Sequence, residues 1–356
     1  MSPKPPSGSA TRRRKEEAID AFRDDPGIER GGRHFDRIRL VHRSLPEVDL
    51  EEVDTSCEFL GRRLSFPLLI SSMTGGSSNR LRRINRNLAE AAQACRVAMG
   101  VGSQRVMLEH PEAADSFDLR PLAPDIPLMG NIGAVQLNLG VGVAECRRLV
   151  DHLQADALIV HCNALQEAVQ PEGQTRFGGA IQRIGELVRG LPVPVVVKEV
   201  GAGMSPADAS RLLEAGVRIV DVAGAGGTSW SRVEDHRRRA AGIADGLGRA
   251  FEDWGIPTPL ALELLRPLRG RLTLIASGGV RSGVDMAKAV VLGASLVGLA
   301  RPFLEPAMES AGHVIEVIER LRREFRLAMW LTGARTIAEL CGNDALRLPD
   351  PTEARP

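Results

Sequence analysis

The run Ser277-Gly278-Gly279-Val280-Arg281-Ser282-Gly283 sets two adjacent glycines between an apolar stretch and an amphipathic one. Glycine lets the backbone come close to a ligand, and the free N–H groups and dipole at a helix start favour an anion. That combination suits a phosphate. The segment from Gly298 to Arg301 follows the next apolar stretch and can complete the same site. A second glycine-rich loop, Gly224-Ala225-Gly226-Gly227-Thr228-Ser229, offers the Thr228 hydroxyl. Tight turns need glycine for shape alone, but two adjacent loops agreeing favours the phosphate.

Lys198 ends the apolar run PVPVVVK. A lysine at such a place is costly unless it meets an anion or snorkels to solvent. A flavin ring carrying negative charge at N1 is a suitable partner. His161-Cys162-Asn163 opens a polar stretch that goes on to Gln166 and Glu167. There His161 and Gln166 can face a substrate. Glu167 can ligate a hard cation such as Mg²⁺, which takes oxygen ligands and shares them with phosphate. No second carboxylate stands at a telling spacing, so a solvated loop acid is an equal alternative. The basic run Arg12-Arg13-Arg14-Lys15 is either a solvated tail or a clamp that closes over a diphosphate. The chain has no tyrosine, which excludes a phenol as acid or base.

These groups need a frame that carries all of them to one place. Short apolar runs at 68–72, 97–101, 127–131, 157–161, 194–198, 218–222, 272–276 and 295–299 alternate with amphipathic segments, the rhythm of βα units. Helices are expected at 80–95, at 206–215 after Ser205, and at 284–292 after Gly283. Eight strands in this order predict an α/β fold, a (β/α)8 TIM barrel with an N-terminal extension; an open doubly wound sheet is the alternative. Each polar motif then follows a strand, at the barrel's catalytic face. The expected division is a disordered tail at 1–12, an extension and substrate-closing arm at 13–66, the barrel at 67–347 and a second tail at 348–356.

The 356 residues suffice for such a barrel, which needs about 250. Hydrophobic residues at 43% can fill a large core, and a formal net charge of +1 argues against nucleic acid or a membrane surface as the partner. The apolar stretch 289–300 is shorter than the roughly 20 residues that a span requires. The first residues have no apolar core and so do not read as a secretory signal. The cysteines Cys57, Cys95, Cys146, Cys162 and Cys341 form no CxxC pair. Reduced thiols, hence a cytoplasmic protein, are the simple reading.

Several ordered motifs together resemble a known family: the stretch from Ile38 to Gly76 ending FPLLISSMTGG, then AMGVGSQR, HCNALQEAVQPEG, VVVKEVGAG, AGAGGTSW and SGGVRSG. They are similar to those of the type 2 isopentenyl-diphosphate delta-isomerases, over about residues 12 to 345. The resemblance implies an FMN-dependent barrel that interconverts isopentenyl and dimethylallyl diphosphate by a 1,3-allylic proton shift. It further implies reduced FMN as acid and base, Mg²⁺ on the diphosphate, NADPH as reductant, and a homotetramer or larger homo-oligomer.

By position, the flavin contacts fall on Ser72, Met73, Thr74, Ser103, Asn131, Lys198, Thr228, Gly278, Gly279, Val280, Ala300 and Arg301. Substrate contacts fall on Arg14, Lys15, Ser103, Gln104, Arg105, His161 and Gln166, with His161 and Gln166 catalytic. The metal ligand falls on Glu167. The chain departs from the pattern at Ala18, where the family carries a histidine, and at Ala223, often a serine. Two other functions stay open. One is an FMN oxidoreductase of the 2-hydroxyacid oxidase type, which needs a histidine base after a late strand; His236 looks exposed. The other is a flavin-binding protein without turnover.

Overall fold

Eight short apolar runs lie side by side, all parallel, and close on themselves. The computed structural model describes residues 17, 20–31, 34–73, 76 and 78–349. A small antiparallel hairpin comes first, β1 (Cys57–Phe59) and β2 (Arg62–Leu64). The barrel follows: β3 (Leu68–Ile70), β4 (Ala98–Gly100), β5 (Leu128–Gly133), β6 (Ala157–Cys162), β7 (Val195–Glu199), β8 (Ile219–Asp221), β9 (Thr273–Ser277) and β10 (Leu296–Leu299). The ring closes where β10 pairs with β3, Val297 opposite Leu68. Each barrel strand overlaps a run anticipated from the sequence, so the fold is (β/α)8 rather than an open sheet.

Strand side chains alternate between two cores. Leu69, Ala98, Met129, Ile159, Val196, Ile219, Ile275 and Leu296 fill the inside of the barrel. Their neighbours Leu68, Ile70, Val195, Val197, Leu274 and Ala276 face outward into the larger core under the helices. Phe59 and Leu64 of the hairpin join the inner cluster and plug the barrel's N-terminal end. Arg62 on β2 holds Asp156, just before β6, through Nε at 3.0 Å and Nη2 at 2.8 Å. Arg120 reaches the same carboxylate at 2.7 Å.

The helices that position the site are α1 (Asn79–Cys95), α2 (Ala164–Val169), α3 (Pro206–Glu214), α4 (Trp230–Ala240), α5 (Gly283–Val291), α6 (Arg301–Glu309) and α7 (Ala311–Thr332). Ser78, Ser205, Ser229 and Ser282 cap the starts of α1, α3, α4 and α5 with their hydroxyls. Gly283 lies inside α5, not before it. A Cβ there would come 2.6 Å from Glu324 Cβ on α7, so this glycine serves helix-to-helix approach. Helix α7, which has no counterpart among the anticipated helices, packs on α1 and α5.

The N-terminal extension divides in two. Residues 34–56 run along the barrel wall, where Trp330 of α7 donates to the Val48 carbonyl at 2.7 Å. Residues 20–30 lie across the barrel mouth instead: Glu29 pairs antiparallel with Thr228, and Ala21 and Ile28 pack on Val233. Both anticipated tails, apart from residues 348 and 349, and Arg12 to Lys15 and Ala18 lie outside the described residues.

Candidate active site

The C-terminal ends of the strands surround one cavity. Ser72 follows β3, Ser103 follows β4, and Asn131 and His161 stand on β5 and β6. Asn131 donates through Nδ2 to Ser72 Oγ at 2.9 Å, which leaves its Oδ1 to accept from His161 Nδ1 at 2.7 Å. One amide thus fixes a hydroxyl on one side and an imidazole on the other. Gln104 stands behind this row. It is fully buried, takes the Asn131 backbone N–H at 3.0 Å and donates to the Leu149 carbonyl at 3.2 Å. Expected as a substrate contact, it does not line the cavity; its amide is spent on holding β5.

On the far wall the two glycine loops meet backbone to backbone. Gly278 and Gly279 have φ of +98° and +75°, the left-handed region. A Cβ on Gly279 would come within 3.0 Å of the Gly226 carbonyl oxygen, and one on Gly227 would come 2.9 Å from Gly279 N. Side chains are therefore excluded, and Gly227, Gly278, Gly279, Val280 and Ala300 line the cavity largely as main chain. Arg281 and Arg301 flank them. Burial pushes the Arg281 guanidinium below its usual range, opposed by Asp285 and helped by the neighbouring Arg301, so an anion would be welcome here. In this structure Glu29 supplies one, paired to Arg281 and 3.8 Å from Arg301 Nε.

The stretch after β6 begins as helix α2, and Glu167 is not a solvated loop acid. Its side chain is buried, accepts from Asn163 Nδ2 at 3.1 Å and from the Gln174 backbone N–H at 2.8 Å. Asn163 Oδ1 is buried with no hydrogen-bond partner among the described residues. An orphaned amide oxygen beside a carboxylate is a partial oxygen set for a hard cation. Among the described residues no three His, Cys, Asp or Glu side chains converge as a cage. The donors present therefore fit Mg²⁺ only as a site completed by ligand oxygens and water.

Sequence reasoning missed Glu234. It comes from α4, is buried at 1% exposure, and accepts from Gln166 Nε2 at 2.8 Å and from Arg237 Nη1 at 2.6 Å. Burial works against the Arg237 charge, but Glu234 and Glu172 outweigh it and keep the guanidinium protonated. Phe22 and Trp230, which meet edge to face at 6.3 Å, also line the cavity and were not anticipated. Lys198 does meet an anion, but it is Asp221: Nζ donates to Oδ2 at 2.9 Å. His236 is half-buried rather than exposed. Of the expected site residues, Met73, Arg105, Gln166 and Thr228 also line the cavity; Arg14, Lys15 and Thr74 lie outside the described residues.

The chain matches the FMN-dependent dehydrogenase family model over residues 19–115 and 147–347. Solved structures agree on the fold. A flavocytochrome b2 variant with sulfite bound aligns with a TM-score of 0.67 at 22% identity, over 92% of this chain and 80% of that one. A mandelate oxidase variant with an FMN adduct aligns at 0.58 and 19% identity, over 87% of each. Fold and cavity thus define a barrel of the FMN-dependent dehydrogenase class. Within it, the chain is 54% identical to the isopentenyl-diphosphate delta-isomerase of Paracoccus zeaxanthinifaciens, over 94% of this chain and 96% of that protein. It is 50% identical to the one of Hydrogenovibrio crunogenus, over 96% and 100%. The chain belongs to the isopentenyl-diphosphate delta-isomerase family.

Proposed function

We propose that this chain interconverts isopentenyl and dimethylallyl diphosphate by a 1,3-allylic proton shift, with FMN and Mg²⁺ bound in the cavity. The observation that carries the reading is one cavity with two unlike corners, one suited to an anion and one to a cation. On one wall is the glycine-backed cradle of residues 227 and 278–280; across from it is the Asn163–Gln166–Glu167 corner. The first suits the phosphate tail of a nucleotide, and the second a metal shared with a diphosphate. Reduced FMN, when bound, supplies an electron-rich ring that can hold and release a proton.

The chain's own residues then divide the work. The backbone of Gly278, Gly279 and Val280, with Thr228, Ala300 and Arg301, binds the cofactor phosphate. Ser72, Met73, Thr74, Ser103 and Asn131 border the ring, and Lys198 reaches it. Glu167 and Asn163 hold the cation. Ser103, Arg105, His161 and the Arg14-Lys15 arm hold the diphosphate. Gln166 cannot ionise, so it orients the allyl unit, its amide fixed by Glu234. His161, held through Nδ1 by Asn131, turns its ring toward the diphosphate. Residues 13–66 serve as extension and closing arm around the barrel of 67–347. The reading extends to NADPH as reductant, a cytoplasmic setting and a homotetramer or larger assembly. Among the described residues no helix is long and apolar enough to cross a membrane.

The test is reconstitution with FMN, chemical reduction, and addition of Mg²⁺ and isopentenyl diphosphate. Dimethylallyl diphosphate should form, and omission of either FMN or Mg²⁺ should abolish it. Flavin-loaded protein that yields no product overturns the reading.

A further inference from the structure

Behind the cavity wall at Lys198 lies a buried carboxylate, Asp221, to which the proposed reaction gives no role. Asp221, at the end of β8, is completely buried and does not line the cavity. Its Oδ2 accepts from Lys198 Nζ at 2.9 Å. Its Oδ1 accepts from Ser277 Oγ at 2.7 Å and from the Ala223 backbone N–H at 3.2 Å. Ser277 Oγ in turn accepts from Lys198 Nζ at 3.1 Å. Two of the three lysine donors are thereby used, and because Lys198 also lines the cavity the third can serve a ligand there.

A buried carboxylate in contact with a buried ammonium makes a neutral pair, and the field of such a pair falls off faster than that of a lone cation. We propose that Asp221 is a positioning residue with two effects: it fixes Lys198, and it cancels the lysine's charge as felt by the flavin. The inference rests on the reading that the cavity holds FMN with Lys198 at its ring. Two-electron reduction adds negative charge to that ring. A lone lysine would stabilise the added charge, raise the reduction potential and make the reduced ring a weaker base. The neutral pair gives the ring a hydrogen bond without that stabilisation, which suits a flavin that must hand a proton back and forth rather than store electrons. Ser277, which also begins the Gly278-Gly279 loop, ties this pair to the phosphate cradle.

The test is the midpoint potential of bound FMN in wild type, Asp221→Asn, Lys198→Met and the double variant. Asp221→Asn is compared with wild type at pH 6, where a lysine without its counter-ion best keeps its proton. Lys198→Met is compared at pH 8, where the lone carboxylate best stays ionised. The potential should rise in Asp221→Asn and fall in Lys198→Met, each by at least a tenfold change in the reduced-to-oxidised ratio, about 30 mV for two electrons. The double variant should return close to wild type. An unchanged potential in Asp221→Asn, or a double variant as low as Lys198→Met alone, overturns the proposal. Should Asp221→Asn fail to fold, judged by circular dichroism, the comparison of Lys198→Met with the double variant decides. Wild-type protein that takes up no FMN defeats the flavin reading itself; flavin-loaded variants whose potentials ignore the charges defeat only this inference.

Discussion

Glu167 shows how far single residues can be read from a sequence. Its position after a strand and its acid group are plain, but its burial beside an orphaned Asn163 oxygen is not. Glu234 was out of reach altogether: it lies 68 residues from the Gln166 it fixes, on a helix crowded with arginines. Gln104 shows the opposite limit, since its place next to a glycine motif suggests a contact but does not reveal that its amide is buried and bonded to the Asn131 and Leu149 main chain. Replacing Glu167 by Gln should keep flavin binding but weaken Mg²⁺-dependent diphosphate binding by about 10- to 100-fold, the usual cost of losing a metal-supporting group. Calorimetric titration of the diphosphate with and without Mg²⁺ checks this. Asp156 gives a pH prediction. Burial raises its pKa, but the Leu128 N–H, Arg120 and Arg62 more than offset this and hold it below the usual carboxylate range. A depressed folded value means stability present above the unfolded value of about 3.9 and lost as pH falls through the folded one. Asp156→Asn should therefore cost about 2 kcal/mol at neutral pH. In denaturant melts, the gap to wild type should close as the pH drops below that unfolded value.

At the scale of elements, the barrel strands were legible because runs such as Val195–Val197 are apolar on both faces, the mark of a parallel strand buried twice over. The hairpin β1–β2 was not, because each of its strands has only three residues and Arg62 and Arg63 hide the pattern. The glycine loops were found by motif, though not the way they lock together. That locking makes Gly278 intolerant of a side chain: its φ of +98° is strained for alanine, and a Cβ would run into the Gly224 backbone. Gly278→Ala should cost about 1–3 kcal/mol of stability. It should also weaken FMN binding at least tenfold, read by quenching of flavin fluorescence on titration. Equal affinity in the variant would mean that the phosphate sits elsewhere.

For the whole molecule, residues 20–30 act as a strap across the barrel mouth. Arg232 anchors it, with Nη2 2.7 Å from Asp25 Oδ1 and Nη1 3.0 Å from Glu252 Oε2. The side-chain bond to Arg232 is the chief cause that holds the Asp25 carboxyl below the usual carboxylate range. The sequence suggested a closing arm within residues 13–66, but not this anchor, because Asp25 and Arg232 lie 207 residues apart. Arg232→Ala removes charge-assisted bonds worth about 1.5–3 kcal/mol together with the other contacts of the side chain. Limited trypsin digestion should then cut at Arg23 or Arg30 at least tenfold faster, while the barrel stays intact.

The most direct measurement follows flavin spectrum and product together, without oxygen. Reduced, FMN-loaded protein given Mg²⁺ and isopentenyl diphosphate should make many equivalents of dimethylallyl diphosphate while its flavin stays reduced throughout. Flavin that is consumed in step with product, or protein that leaves the diphosphate untouched yet has its oxidised flavin bleached by a 2-hydroxy acid, would contradict an isomerase and mark an oxidoreductase.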